Sequence, residues 1–393
     1  MAALRVADLS AGRTSWPQAF VADVLDAVGQ HDSFAQLLAC YPVARLNPFQ
    51  RLLYQAAEPA GFRVLPLARL DGVDHVGWAG RIVLHLHWLG ALLRACETDE
   101  QAMQAVREVD RRLASCRKRG YRIVWTVHNI LPHSFRYEAA EIALRKVVAK
   151  RAHLIHVMCA NTADEAQQHY RLPADKLFHL PHPSYEGWYP AIVGKSEARA
   201  EFGLGAREFV FLFFGSIQPY KGLLALVEAF EALCLAAPGV RLRLLIAGKP
   251  ADPDYCRVVA DRVAGHKGIV FRPLTIEDAQ VQEFFAASDV VVAPYLATLN
   301  SGVALLAATF RRLVVAPRQG AMAEVFAGDD ALLYDPDSER GLYDAMRKAL
   351  VHQVDGASLD GLLMRHRPRQ ISTVFFARLR ERLDLAEYSR DGA

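Results

Sequence analysis

The sequence predicts an α/β protein made of two Rossmann-like, doubly wound domains that face a central cleft. Three observations lead there. At 393 residues the chain exceeds what one hydrophobic core holds, since single cores stop growing near ~250–300 residues. Short apolar runs alternate with helical stretches of roughly 10–15 residues, the signature of βαβ units and a parallel sheet. That pattern stops in a polar stretch bearing Pro and Gly, residues 181–207, which reads as the interdomain linker, and then begins again.

Taken in order, residues 1–33 form an N-terminal extension. Its helical stretch at 16–28 carries apolar Phe20, Val24 and Leu25, which suits an accessory helix packed on one domain or an amphipathic membrane contact. The first domain spans 34–190, with strands at 35–43, 62–67, 82–87, 122–127, 153–159 and 177–180. Its helices fall at 47–57, opened by Pro48 at a helix-start position, and at 99–119 and 137–151, the last preceded by a loop at 128–136. The second domain spans 205–365, with strands at 209–214, 241–247, 269–272, 290–293 and 313–316. Helices at 223–235, 254–264, 276–286 and 301–310 separate them, and a C-terminal helix, 366–393, is expected to return to the first domain.

Composition excludes several classes. A hydrophobic content of 52% with 23% charged residues belongs to a globular enzyme rather than a disordered chain. Forty-six basic against 43 acidic residues is too even for nucleic acid as the main partner. The cysteines Cys40, Cys96, Cys116, Cys159, Cys234 and Cys256 show no paired spacing and read as reduced thiols. No stretch nears the ~18 apolar residues of a membrane span, and Arg5, Asp8, Arg13, Asp23 and Asp26 argue against a signal peptide. The expected location is the cytoplasm. No GxGxxG follows the first strand of either half, which argues against a dinucleotide-dependent dehydrogenase.

Two segments of the second domain carry chemistry. In Gly215-Ser216-Ile217-Gln218-Pro219-Tyr220-Lys221-Gly222 a strand ends in glycine, a Pro turn follows, and Lys-Gly opens a helix. Backbone N–H groups and an ammonium there suit a diphosphate; alternatively this is a plain βα turn with a surface lysine. In Pro294-Tyr295 followed by Asn300-Ser301-Gly302, a strand again ends in a Pro loop and polar residues open a helix. Capping alone explains Asn300 and Ser301, but the tandem of two such strand ends favours phosphate.

In the first domain His85, His87 and Trp88, and His128 with Asn129, follow apolar strands and so lie at the sheet's C-terminal edge. His85 and His87 are expected on opposite sides of their strand, with at most one pointing inward. A zinc site from His85, His87, His128 and His133 lacks a carboxylate or thiol partner at suitable spacing, so no metal is expected.

Together these residues resemble glycosyltransferases of the GT-B architecture, and specifically the bacterial exopolysaccharide β-mannosyltransferases of the xanthan-assembly (GumI) type. The shared features run collinearly from Asn47-Pro48-Phe49 through residues 84–88, Leu93-Arg94, Thr126-Val127-His128-Asn129, Pro132-His133, His182, Tyr185 and Trp188 to Gly215, Ile217, Pro219-Tyr220-Lys221-Gly222, Pro294-Tyr295 and Asn300-Ser301-Gly302. The sequence departs from the pattern at Gln218, where arginine is common, and at Arg311-Arg312-Leu313, where a small residue precedes proline. Residues 1–33 have no counterpart. The glutamate pair of retaining relatives is replaced by Leu299 and Ala307.

The resemblance implies a cytoplasmic enzyme with a nucleotide sugar as co-substrate, no cofactor and no metal, moving mannose from GDP-mannose with inversion. Gly215, Ser216, Gln218, Tyr220, Tyr295, Asn300, Ser301 and Gly302 would bind the donor, and Lys221 would neutralise the leaving diphosphate. His128 would act as general base or hold the donor, with Glu138 and Glu141 as other bases. Asn47, His87, Asn129, His133, His182 and Tyr185 would line the acceptor side. The acceptor would be a glycolipid or oligosaccharide at the inner membrane face, met peripherally through basic runs at 111–119 and 145–151. A soluble small-molecule acceptor with a UDP or dTDP sugar, or a non-catalytic nucleotide-sugar-binding protein, are the alternatives.

Overall fold

The computed structural model describes residues 16–29, 36–44, 47–78, 80–132, 135–297, 299–300, 302–327, 331–353 and 355–385. These divide into two compact units, one reaching to Pro183 and completed by the chain from Pro368 onward, the other running from Ser184 to Arg367.

The N-terminal unit begins with helix α1 (Trp16–Gly29), then strand β1 (Gln36–Tyr41), α2 (Phe49–Leu53), β2 (Phe62–Pro66) and β3 (Ile82–Leu86). Helix α3 (Asp99–Lys118), β4 (Arg122–Val127), α4 (Glu138–Arg151), β5 (Leu154–Val157), α5 (Thr162–Ala166) and β6 (Leu177–His179) complete its sheet. The strands run parallel in the order β2-β1-β3-β4-β5-β6. Helices on both faces leave β1 and β3 wholly buried, which is why they read as mostly apolar runs, broken only by Gln36 and His85. Helix α3 is capped by Thr98, whose side chain accepts from Gln101 N–H, with Asp99 and Glu100 in its first turn and Arg117 and Lys118 in its last.

The C-terminal unit opens with α6 (Lys195–Glu201), then β7 (Phe209–Phe214), α7 (Leu223–Ala236), β8 (Leu242–Ala247), α8 (Pro253–Val263), β9 (Ile269–Arg272), α9 (Val281–Ala287) and β10 (Val290–Val292). Helix α10 (Gly302–Thr309), β11 (Leu313–Pro317), α11 (Gly320–Val325), β12 (Leu333–Tyr334), α12 (Gly341–Ala349) and α13 (Gly356–Arg365) follow. Its parallel sheet is ordered β12-β11-β10-β7-β8-β9. The order reverses between β7 and β10, and in doubly wound sheets ligands bind beyond the strand ends at such a switch point. In the first unit the equivalent place lies between β1 and β3.

Helix α14 (Pro368–Leu383) packs back on the N-terminal unit. Ser372 Oγ donates to Leu53 O at 2.6 Å and accepts from Ala56 N–H at 2.8 Å, while Phe375, Phe376 and Leu379 are buried in the core with Tyr54 and Phe62.

Two expectations need correction. The stretch 181–207 is not a structureless linker: it holds α6, whose Arg199 binds Asp289 at 2.7 Å and the carbonyls of Ala287, Gly205 and Ala206. The units divide at Pro183 rather than at 190, because Ser184 N–H donates to His366 O and Tyr185 N–H to Thr309 Oγ1. Helix α1 buries Trp16, Phe20, Val24 and Ala27 but leaves Leu25 65% exposed. Its Trp16 Nε1 donates to Ala44 O, so it lies on its own unit as an accessory helix.

Candidate active site

The switch point of the C-terminal unit is built from two interlocked turns. Strand β7 ends at Gly215, whose φ of +142° is open only to glycine, and the chain then makes a short Pro219–Lys221 helical turn closed by Gly222 at φ +68°. A Cβ on Gly222 would stand 2.1 Å from Pro294 O, so the turn after β7 presses against the turn after β10. Leu296 N–H donates to Tyr220 O at 2.9 Å, and Gln319 Nε2 holds Tyr295 O at 3.0 Å. Under this pair sits Gly248 at the end of β8; a Cβ there would fall 1.7 Å from Gly215 O.

Lys221 projects across these turns. Its Nζ lies 3.5 Å from the Tyr295 ring centre and 4.9 Å from that of Tyr220. Desolvation beside the two rings pushes the ammonium down to about 7. A cation whose charge is poorly hydrated gains most from an arriving anion. Gln218 Nε2 donates to Ser216 Oγ at 2.8 Å, and the Ser216 hydroxyl also hydrogen-bonds the Tyr220 side chain. Gly302 opens α10, and Asn300 precedes it; Ser301 and His133 lie outside the described residues. Leu299 and Ala307, where retaining relatives carry glutamates, are buried apolar positions.

In the N-terminal unit the strand ends bring four histidines together. His85 and His87 share one face of β3, as residues two apart on a strand must, so the expectation of opposite sides is corrected. Tyr54 Oη lies 2.8 Å from His85 Nδ1 and 2.7 Å from His87 Nε2. His87 Nδ1 lies 3.0 Å from His128 Nε2. On the other side, His85 Nε2 is 2.7 Å from Thr126 Oγ1, which is 3.0 Å from His156 Nδ1, and His156 Nε2 donates to Leu180 O at 2.8 Å. Burial holds His85, His87 and His128 well below the ordinary histidine range, each helped by its neighbouring histidines, and takes His156 to about 4. Among the described residues the rings are bonded in series, and no group of three metal-ligating side chains converges.

His87, His128 and Asn129 face a pocket of about 610 Å³ whose wall includes Trp88, Arg94, Glu141 and Arg145. Trp88 stacks on His128 at 3.9 Å between ring centres, and Phe49 meets both His128 and His182 edge-on or tilted. Arg145 and Glu141, both buried, pair at 2.5 Å. Glu141 is therefore committed to an ion pair rather than placed as a base, and Arg145 leaves the basic run to which its position in the sequence assigned it. Arg151 pairs with Asp110 and Arg112 with Asp74, so the two runs are not bare cationic faces.

Of the other expected residues, Asn47 accepts from Phe49 N–H at 3.0 Å and so shapes the start of α2. His182 Nδ1 donates to Pro183 O. Tyr185 belongs to the C-terminal unit, where it packs near Tyr189 and Thr309. Sequence reasoning missed Gly248, Tyr54 and His156. The available signal was a polar residue in the middle of an apolar strand, at His156.

Residues 208–352 match the family model described as Glycosyl transferases group 1. The fold, the two locked turns and this match define the class: the chain is a glycosyltransferase of GT-B architecture that takes its sugar from a nucleotide-activated donor. Among characterised proteins it is similar to the GDP-mannose:glycolipid 4-beta-D-mannosyltransferase of Xanthomonas campestris pv. campestris, with 27% identity over 316 residues covering 78% of this chain and 80% of that protein. It is 31% identical over 220 residues, 52% of this chain and 50% of the other, to the D-inositol 3-phosphate glycosyltransferase of Pseudarthrobacter chlorophenolicus. In fold it is similar to Anabaena Alr3699/HepE in complex with UDP-glucose, with a TM-score of 0.65, 15% identity, and 88% and 99% of the two chains covered. No helix among the described residues is long and apolar enough to cross a membrane.

Proposed function

We propose that the enzyme transfers mannose from GDP-mannose to a glycolipid or oligosaccharide acceptor, with inversion and without a metal ion. The observation that carries the donor half is the Lys221 turn locked against Pro294-Tyr295 at the switch point. A half-buried ammonium, the Ser216 hydroxyl and the N–H groups at the start of α10 together supply the positive potential that a departing nucleoside diphosphate needs. The similarity to a GDP-mannose-using 4-beta-D-mannosyltransferase supports the sugar and the linkage. GDP-mannose is an α-glycoside, so a β-linked product means displacement from the opposite face. The apolar Leu299 and Ala307 fit a donor held otherwise than by the glutamate pair of retaining relatives.

The acceptor is read onto the N-terminal pocket. Trp88 offers a flat apolar face of the kind that sugars stack on, and His128 stands beside it as the general base. As the C1–phosphate bond breaks, the acceptor oxygen bonds C1; on the N-terminal unit His128 takes the acceptor's proton, and on the C-terminal unit Lys221 neutralises the leaving diphosphate.

Thermal shift against GDP-mannose, UDP-glucose, dTDP-glucose and a CDP sugar tests this reading. The largest stabilisation is expected from GDP-mannose. A response confined to UDP or dTDP sugars would overturn the donor assignment, and binding without turnover in the presence of acceptor would favour the non-catalytic alternative.

A further inference from the structure

We infer that Tyr54, His85, Thr126 and His156 are positioning residues: their hydrogen-bond series has one direction, set at the Leu180 carbonyl, and it fixes His128 as the tautomer protonated on Nε2 with its lone pair on Nδ1. This rests on the reading of His128 as the residue that meets substrate, and says which of its two nitrogens does so.

The direction follows link by link. Leu180 O can only accept, so His156 carries its proton on Nε2, and neutral His156 then accepts on Nδ1. The donor to that nitrogen is Thr126, which has a single hydroxyl proton. With that proton committed, Thr126 Oγ1 must accept from His85, which is therefore protonated on Nε2 and bare on Nδ1. Tyr54 in turn donates its one proton to His85 Nδ1 and accepts from His87 Nε2–H. His87 Nδ1 is left as an acceptor, and the donor to it is His128 Nε2–H. Reversing any one link would leave two lone pairs or two protons facing each other at under about 3 Å, or a charged histidine in the core.

The premise that the rings are neutral agrees with their burial. His85, His87 and His156 are fully buried, and neighbouring histidines disfavour each other's charge. Packing keeps the rings from turning over: Phe375 of α14 stacks on His85, and Trp88 stacks on His128. When Nδ1 takes the acceptor's proton, His128 becomes an imidazolium whose Nε2–H still donates to His87, so no other link has to change. The arrangement orients the base without carrying a proton through the core.

Nitrogen-15 NMR of the full-length protein labelled on histidine reads the tautomers directly, with the His128 signals assigned by their loss in His128→Gln. A bare Nδ1 and protonated Nε2 at His128 are expected at neutral pH. Thr126→Val, which keeps the side-chain shape and removes both hydrogen-bonding functions, should give His128 a mixed tautomer signal. It should lower kcat about tenfold or more with donor KM within about twofold, and Thr126→Ser should restore both. A protonated Nδ1 at His128 in the wild-type protein would overturn the series, and so would Thr126→Val with unchanged kcat; if that variant does not fold, the wild-type spectrum alone decides. Full activity in His128→Gln would instead overturn the role of His128 itself, whatever its tautomer.

Discussion

The Lys221 ammonium lies 3.5 Å from the centre of the Tyr295 ring, and the two residues belong to turns that close over neighbouring strand ends, β7 and β10. Burial lowers its proton affinity to about 7, so near neutral pH much of the lysine population is uncharged until an anion arrives. Binding of GDP at pH 8 should therefore take up a fraction of a proton approaching one, as read by calorimetry in buffers of different ionisation enthalpy. Lys221→Met should abolish the uptake and cut kcat by roughly 100-fold or more, while the fold persists. The sign for stability runs the same way. The folded protein releases this proton near pH 7 and the unfolded chain near ~10.4, so stability from this group rises with pH across that window. Urea unfolding should show the variant's advantage over wild type shrinking as pH rises from 7 toward 10.

Gly248 and Gly222 are set by contact rather than by local preference. Alanine at 248 would need φ +150° and a Cβ 1.7 Å from a backbone oxygen, which the sheet cannot move aside. The expected cost of Gly248→Ala is at least ~3 kcal/mol, seen as a lower midpoint in thermal unfolding. Gly222→Ala should displace Pro294 and weaken nucleotide binding more than it weakens the fold.

His128 titrates below the ordinary histidine range because burial, then His182, His156 and His85, disfavour its charged form. A base with a lowered pKa stays unprotonated as pH falls past 6.5. The rate of transfer at saturating donor, where the bound diphosphate keeps Lys221 protonated, should stay flat from pH 7 through 6.5 and drop only in more acid solution, measured as kcat against pH. A half-maximal point at 6.5 would contradict the buried setting.

The Glu141–Arg145 pair beside the N-terminal pocket is buried on both sides. Glu141→Leu leaves an uncompensated guanidinium and should cost about 3 kcal/mol, whereas the double replacement Glu141→Leu with Arg145→Leu should cost less than either single change, Glu141→Leu or Arg145→Leu. A denaturation cycle over the four proteins checks this.

How much of this was legible in the sequence follows from range. Strands β4, β7 and β9 are readable to the residue because each is an apolar run bounded by polar turns, and the Gly215–Gly222 and Pro294–Gly302 segments are local motifs. The histidine series was not readable as a unit. Its members sit on α2, β3, β4 and β5, and only sheet register, which sets Thr126 directly against His156, brings them together. Gly248 was missed for the same reason: its requirement comes from Gly215, a neighbour 33 positions away across β7 and β8. Tyr185 was assigned to the wrong unit because the boundary depends on two long-range hydrogen bonds.

The central claim is transfer from a nucleotide sugar, and its most direct measurement is nucleotide release. The purified protein is incubated with GDP-mannose, with and without a bacterial membrane-lipid extract as acceptor, and free GDP is followed over time. The account predicts slow GDP release from the protein alone, acceleration by the extract, and loss of both in Lys221→Met. No GDP release under either condition, with the same protein turning over no other nucleotide sugar, would contradict it.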